Sequence, residues 1–219
     1  MGELFAVVRC PAELCGEGTG FIEPVALPAG CETMARSTVQ RIVEMPPPPR
    51  ERARAVHEAA HAVTHHMAGE RIEFVRVDAP AMVRITPGRI SNATRLLSLM
   101  VGVAAEQRLV RMTYRTPDAA LTPYVEAVKA LAMGGCDKCR ALTIIAAEIG
   151  VDAAAETYAT RFRKEEDRAE TFVREPVVWS SIVEIADELM KHGRIDGERA
   201  HEIAARHVPF GSIEIGNLK

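Results

Sequence analysis

Four consecutive prolines, Pro46 to Pro49, set the first boundary in this chain. A proline nitrogen has no hydrogen for a helix ladder and its ring holds φ at about −65°, so the run forms a stiff extended spacer. A new element must begin near Arg50. Upstream, residues 1–45 alternate short apolar runs with Gly and Pro, as in CGEGTGFIEPVALPAG, and end in CETMARSTVQRIVEM (31–45), which reads as a short helix. Residues 1–49 are therefore an N-terminal appendage and spacer, residues 50–208 the main domain, and residues 209–219 a C-terminal tail. At 219 residues the chain is long enough to bury one sizeable core.

After the prolines, helical periodicity dominates. Ala55, Val56, Ala59, Ala60, Val63 and Met67 recur at helical spacing over 51–68, and Gly69 is a fitting stop. RIEFVRVDA (71–79) and AMVRITPG (81–88) alternate apolar and polar residues and predict two short strands, a hairpin. Helices are expected over 91–111, 118–132, 135–148, 152–173, 176–191 and 197–207, with Gly193 as a stop and Asp196 as an N-cap between the last two. The fold class is mainly α with a small β-sheet or hairpin. Hydrophobic residues make up 47% of the chain but aromatics only 5%, so Ala, Val, Leu, Ile and Met must build most of the core. That composition favours helices packed through small side chains.

Charge and cysteine content narrow the function classes. The formal net charge is −3, and the densest charge run, RFRKEEDRAE (161–170), mixes both signs as a solvated helix face does. No nucleic-acid footprint is present. The start, MGELFAVVRCPAELC, lacks the basic and long apolar regions of a secretory signal, and no window of about 18 uninterrupted apolar residues follows. A cytoplasmic protein without a membrane segment is expected. Five cysteines (Cys10, Cys15, Cys31, Cys136, Cys139), odd in number and irregularly spaced, suit reduced thiols. CDKC (136–139) has no second CxxC and no suitably spaced His pair, so its cysteines read as small helix residues.

The chemistry concentrates in the first helix of the main domain. His57, Glu58 and His61 form HExxH. Two histidines four apart sit about 40° apart around a helix and about 6 Å apart along it, so both imidazoles reach one metal ion from the same face. Glu58 projects beside them, where it can take a proton from a water on zinc, the general-base role this motif has in zinc peptidases. An ionised Glu between two His in an Ala-rich, apolar helix is costly to bury without a partner such as a metal. His65 and His66 come too late for the same ion, because His65 is about 12 Å along the helix from His57 whereas zinc ligands lie about 2 Å from the metal. A third ligand must come from elsewhere.

AVHEAAHAV (55–63) resembles the HEAGHAV helix in the peptidase domain of the FtsH family of AAA zinc metalloproteases. LLSLMVGVAAEQRLV (96–110) resembles that family's GG-x-AAE-x-L helix, and GGCDKCRALTIIA (134–146) its D-L-x-x-A helix, whose Asp is the third zinc ligand. VVWSSIVEIADELMKHGRIDGERAHEI (177–203) resembles its final helix pair. The resemblance implies an FtsH peptidase-like zincin helical domain and a zinc metalloendopeptidase, with His57, His61 and Asp137 holding zinc and Glu58 as the base. Asp137 also suits a helix start regardless of metal. Asp118 in TPDAAL and Glu106 in AAEQ are rivals for the third position, Glu106 being the better hydrogen-bond acceptor for a ligating His.

Ala60 stands where that family usually has Gly, and the interval to Asp137 is longer. No GxxxxGK[ST] phosphate loop occurs, so this chain by itself is expected not to couple ATP hydrolysis to unfolding. It would act on peptides or unfolded chains, or beside a separate unfoldase. The resemblance also allows a homo-oligomer, since FtsH-like peptidase domains form hexameric rings. The strand pair over 71–87 would either hold an extended substrate along an edge or simply cover the core. The alternative to an enzyme is a zinc-binding, catalytically silent adaptor of the same fold.

Overall fold

A computed structural model describes residues 50–78, 80–86, 91–111, 115–116, 118–130 and 135–213, together with the backbone of two N-terminal strands. Those strands, β1 (Leu4–Val7) and β2 (Ile22–Val25), pair antiparallel with Leu4 opposite Val25. The helix expected over 31–45 lies outside the described residues.

Helix α1 (Arg50–Met67) begins directly after the prolines. Its residues Ala55, Val56, Ala59, Ala60, Ala62 and Val63 have no solvent exposure, so it is enclosed on most sides. Helices α2 (Asn92–Leu109) and α6 (Pro176–His192) pack along it. Side chains this small let neighbouring backbones come close, which is the feature that later shapes the site. The chain leaves α1 through Gly69, at φ +74°, as the stop signal requires. Around this centre stand α3 (Asp118–Lys129), α4 (Asp137–Ile149) and α5 (Ala155–Arg174). The scarce aromatics gather on α5, whose Tyr158, Phe162 and Phe172 are among the largest fully buried side chains. The described residues are thus mainly helical, in seven helices with two small antiparallel sheets.

The expected hairpin is a three-stranded sheet. β3 (Ile72–Arg76) pairs with β4 (Met82–Ile85) on one side and with β5 (Arg194–Asp196) on the other, in the order β4-β3-β5. Gly193 does stop α6 at φ +68°, and the Asp196 carboxylate does accept the Arg199 N–H at the start of α7 (Gly197–Ala205). The residues between them, too few to carry a period, add a strand with Ile195 turned inward opposite Val75. β3 is therefore central, and any extended peptide would have to join at an outer strand. Gly197 is indispensable to this junction, because a Cβ there would lie 1.7 Å from the Ile72 carbonyl oxygen.

Folded structure continues past residue 208, where a tail was expected. Gly211 N–H donates to the His66 carbonyl and Ile213 N–H to that of Met67, and Ile213 is buried. A histidine pair ties this segment down. Ile72 N–H donates to His201 Nε2, His201 Nδ1 meets His66 Nδ1 at 2.9 Å, and His66 Nε2 donates to the Val208 carbonyl. Each nitrogen has a compatible role only when both rings are neutral, since a proton on His201 Nε2 would face the Ile72 N–H.

Burial holds both imidazoles below their ordinary value, and for His201 the neighbouring His66 adds to it. Near pH 6.5 the unfolded chain then takes up protons that the folded chain refuses, so this pair's contribution to stability is lost as pH falls. The urea midpoint is expected to drop between about pH 7 and pH 5, with a shallower drop in a His66→Asn, His201→Asn double variant. Equal slopes in the two proteins would exclude the histidine pair as the cause.

Candidate metal centre

His57 and His61 project from α1 towards α2 and the start of α4, their ring centroids 4.7 Å apart. Asp137 is the first residue of α4 and faces both. Its Oδ2 lies 3.2 Å from His57 Nε2 and 3.2 Å from His61 Nε2. One ligand atom from each of the three residues falls within 4.8 Å of the others, the one such metal-competent group among the described residues. A tetrahedral zinc with bonds of about 2.0–2.1 Å sets its ligand atoms about 3.3 Å apart, so the carboxylate-to-imidazole spacings suit that ion.

The outer nitrogens of the two rings are already fixed. His57 Nδ1 meets Glu106 Oε1 at 2.6 Å, and His61 Nδ1 donates to the Ser98 carbonyl at 2.6 Å. A carbonyl can only accept, so a neutral His61 carries its hydrogen on Nδ1 and turns a lone pair on Nε2 towards Asp137. Such partners set the tautomer and aim of a metal-binding histidine. Glu106, one of the two rivals of Asp137, thus sits behind His57. The side chain of the other, Asp118, lies outside the described residues.

Electrostatics favour a cation at this point. Burial by itself would depress the His57 imidazole, but the Asp137 and Glu106 carboxylates outweigh it and raise it well above its ordinary value. Burial likewise would raise the Asp137 carboxyl, yet His61 and His57 hold it far below the usual carboxylate range. The negative charge that favours a proton here favours a divalent ion more strongly. Glu58 differs from both. Buried on α1, its carboxyl is pushed up by desolvation against the opposing pull of His61 and His57. No hydrogen bond or ion pair among the described residues engages it, so its proton-accepting capacity is uncommitted.

Two parts of the site were not singled out from the sequence. The first is Gly102, over which the His57 ring lies so closely that a Cβ would come within 2.5 Å of Nε2. A lone glycine in an apolar helix, where it costs about 1 kcal/mol against alanine, is the hint that could have singled it out. The second is a buried chain behind His61. Glu70 Oε2 meets His65 Nδ1 at 2.5 Å, and His65 Nε2 meets Ser98 Oγ at 3.1 Å, on the same serine whose carbonyl holds His61. His65 and His66 thus stand apart from the group formed by His57, His61 and Asp137, as their spacing along α1 required.

CDKC acts as a cap. The Cys136 sulfur accepts the Cys139 N–H at 3.5 Å and Cys139 is buried, which starts α4 and places Asp137 in its first turn. There the helix dipole also favours the carboxylate. Comparison with protein-family models and with curated proteins finds no match to this chain.

Gly102→Ala should therefore displace the His57 ring. Zinc affinity, measured by competition with a chromophoric chelator, is expected to fall by about 10–100-fold while the circular dichroism spectrum keeps its helical form. Unchanged affinity would mean that the ring needs no such close seat.

Proposed function

We propose that this chain is a zinc-dependent metalloendopeptidase resembling the FtsH peptidase domain, acting on peptides or unfolded protein chains. The observation that carries the reading is the meeting of both HExxH imidazoles with one carboxylate, 80 residues on from His57, at 3.2 Å each. His57, His61 and Asp137 would hold the zinc, a two-nitrogen, one-oxygen donor set that leaves a fourth position open. Zinc bound there supplies Lewis-acid chemistry, polarising a carbonyl and acidifying water.

The residues divide the remaining work. Glu58 accepts the proton of the attacking water and hands it to the leaving amine, a task suited to a carboxyl raised by burial. Glu106 and the Ser98 carbonyl keep the two imidazoles aimed. An outer strand of the β4-β3-β5 sheet offers backbone groups to an extended substrate. No helix among the described residues is long and apolar enough to cross a membrane, and we place the activity in the cytoplasm, alone or beside a separate unfoldase and as a homo-oligomer if the family's ring assembly is kept.

The test is cleavage of casein by the purified full chain, with zinc content measured in parallel. His57→Ala should lose zinc and activity together. Glu58→Gln should keep zinc and lose about 10²–10⁴-fold in rate. Cleavage that survives Glu58→Gln would remove the assigned base, while stoichiometric zinc without any cleavage would favour the silent adaptor.

A further inference from the structure

On the far side of α2 the helices α2, α5 and α6 form a half-open groove of about 710 Å³. At about 100° per residue, the Gly102 and Glu106 face of α2 and the Ala104 and Arg108 face point in opposite directions, so this groove is separate from the metal centre. Its size lies in the range of small-molecule sites and exceeds what an inorganic oxyanion fills. Arg108, Arg111 and Arg174 line it against a single carboxylate, Glu170, in a chain whose net charge is −3. Glu170 pairs with Arg174, whereas among the described residues no carboxylate pairs with Arg108 or Arg111.

Arg108 is held in place, while Arg111 and Arg174 are exposed. The Arg108 guanidinium lies 4.4 Å from the centroid of the Trp179 ring and also donates to the Val173 carbonyl, which holds its planar fork in one orientation. Burial, and next the neighbouring Arg174, lower its proton affinity. Arg111 follows the end of α2 at φ +55°, a left-handed conformation that is usually taken by glycine where a helix ends this way. A side chain kept there at a backbone cost points to a role for that side chain.

We propose that this groove binds a small organic phosphate, a phosphate monoester carried on a planar or apolar body. The monoester's charge of about −1.5 to −2 at neutral pH matches the excess of guanidinium in the lining, and the arginine fork matches its oxygens. Ala104, Leu109, Val173 and Trp179 offer the body an apolar wall. This proposal is independent of peptidase activity.

Trp179 is the only tryptophan of the chain, so its fluorescence reports on the groove directly. The full-length protein is titrated with adenosine monophosphate, inorganic phosphate and adenosine, with excitation at the red edge to avoid nucleotide absorption. A saturable change is expected with the monophosphate, a weaker one with inorganic phosphate, and at least about tenfold weaker binding of adenosine. Arg111→Gly should raise the melting temperature, weaken the monophosphate by at least about tenfold and leave zinc content unchanged. Arg108→Gln should weaken it as well. No saturable change from either phosphate below about 10 mM, adenosine binding as tightly as the monophosphate, or an Arg111→Gly protein of undiminished affinity would each overturn the proposal.

Discussion

The close approach of α1 and α2 is the constraint on which the rest of the structure turns. Alanines and valines without solvent exposure line α1, and Gly102 on α2 lies under the His57 ring with no room for a Cβ. At that separation Glu106 and the Ser98 carbonyl, both on α2, reach the outer nitrogens of the two imidazoles. A helix pair held apart by larger side chains would leave both rings free to rotate, and the convergence on Asp137 would go with it.

The site is also an electrostatic compromise. His57, Asp137 and Glu58 meet in a poorly solvated place, where burial alone would drive each towards its neutral form. His57 and Asp137 escape that fate by holding each other's charge, whereas at Glu58 burial outweighs the pull of His61 and His57 and shifts it towards protonation. Two nearby carboxyl groups are thereby shifted in opposite directions, Asp137 towards ionisation and Glu58 towards protonation. Different surroundings, and not different chemistry, make that division.

Helix α2 serves two faces at once. One carries Gly102 and Glu106 towards the candidate metal centre, the other carries Arg108 towards Trp179, and Arg111 extends the second face past the end of the helix. The interior of α2 is packed against α1 and α5, so the two faces share one rigid support. An additional buried chain, Glu70 to His65 to Ser98, joins the end of α1 to the same helix. It strengthens the junction where the imidazoles need it.

Local order was open to reading from the residues. The prolines at 46–49, the small apolar residues of α1 and Gly69 marked out one helix, and on that helix the four-residue spacing placed His57 and His61 on a common face, because such geometry repeats with every turn. Asp137 came from the likeness of its segment to a known peptidase helix, since neither period nor spacing ties residue 137 to residue 57. What required the tertiary structure was everything settled through space. Ile195 joined the sheet because β3 had an open edge, His57 proved to be the histidine that Glu106 holds, and Gly102 proved to be the seat of a ring. These choices depend on which helix faces meet and at what separation, and that is decided by packing the whole core at once, not by any neighbour along the chain.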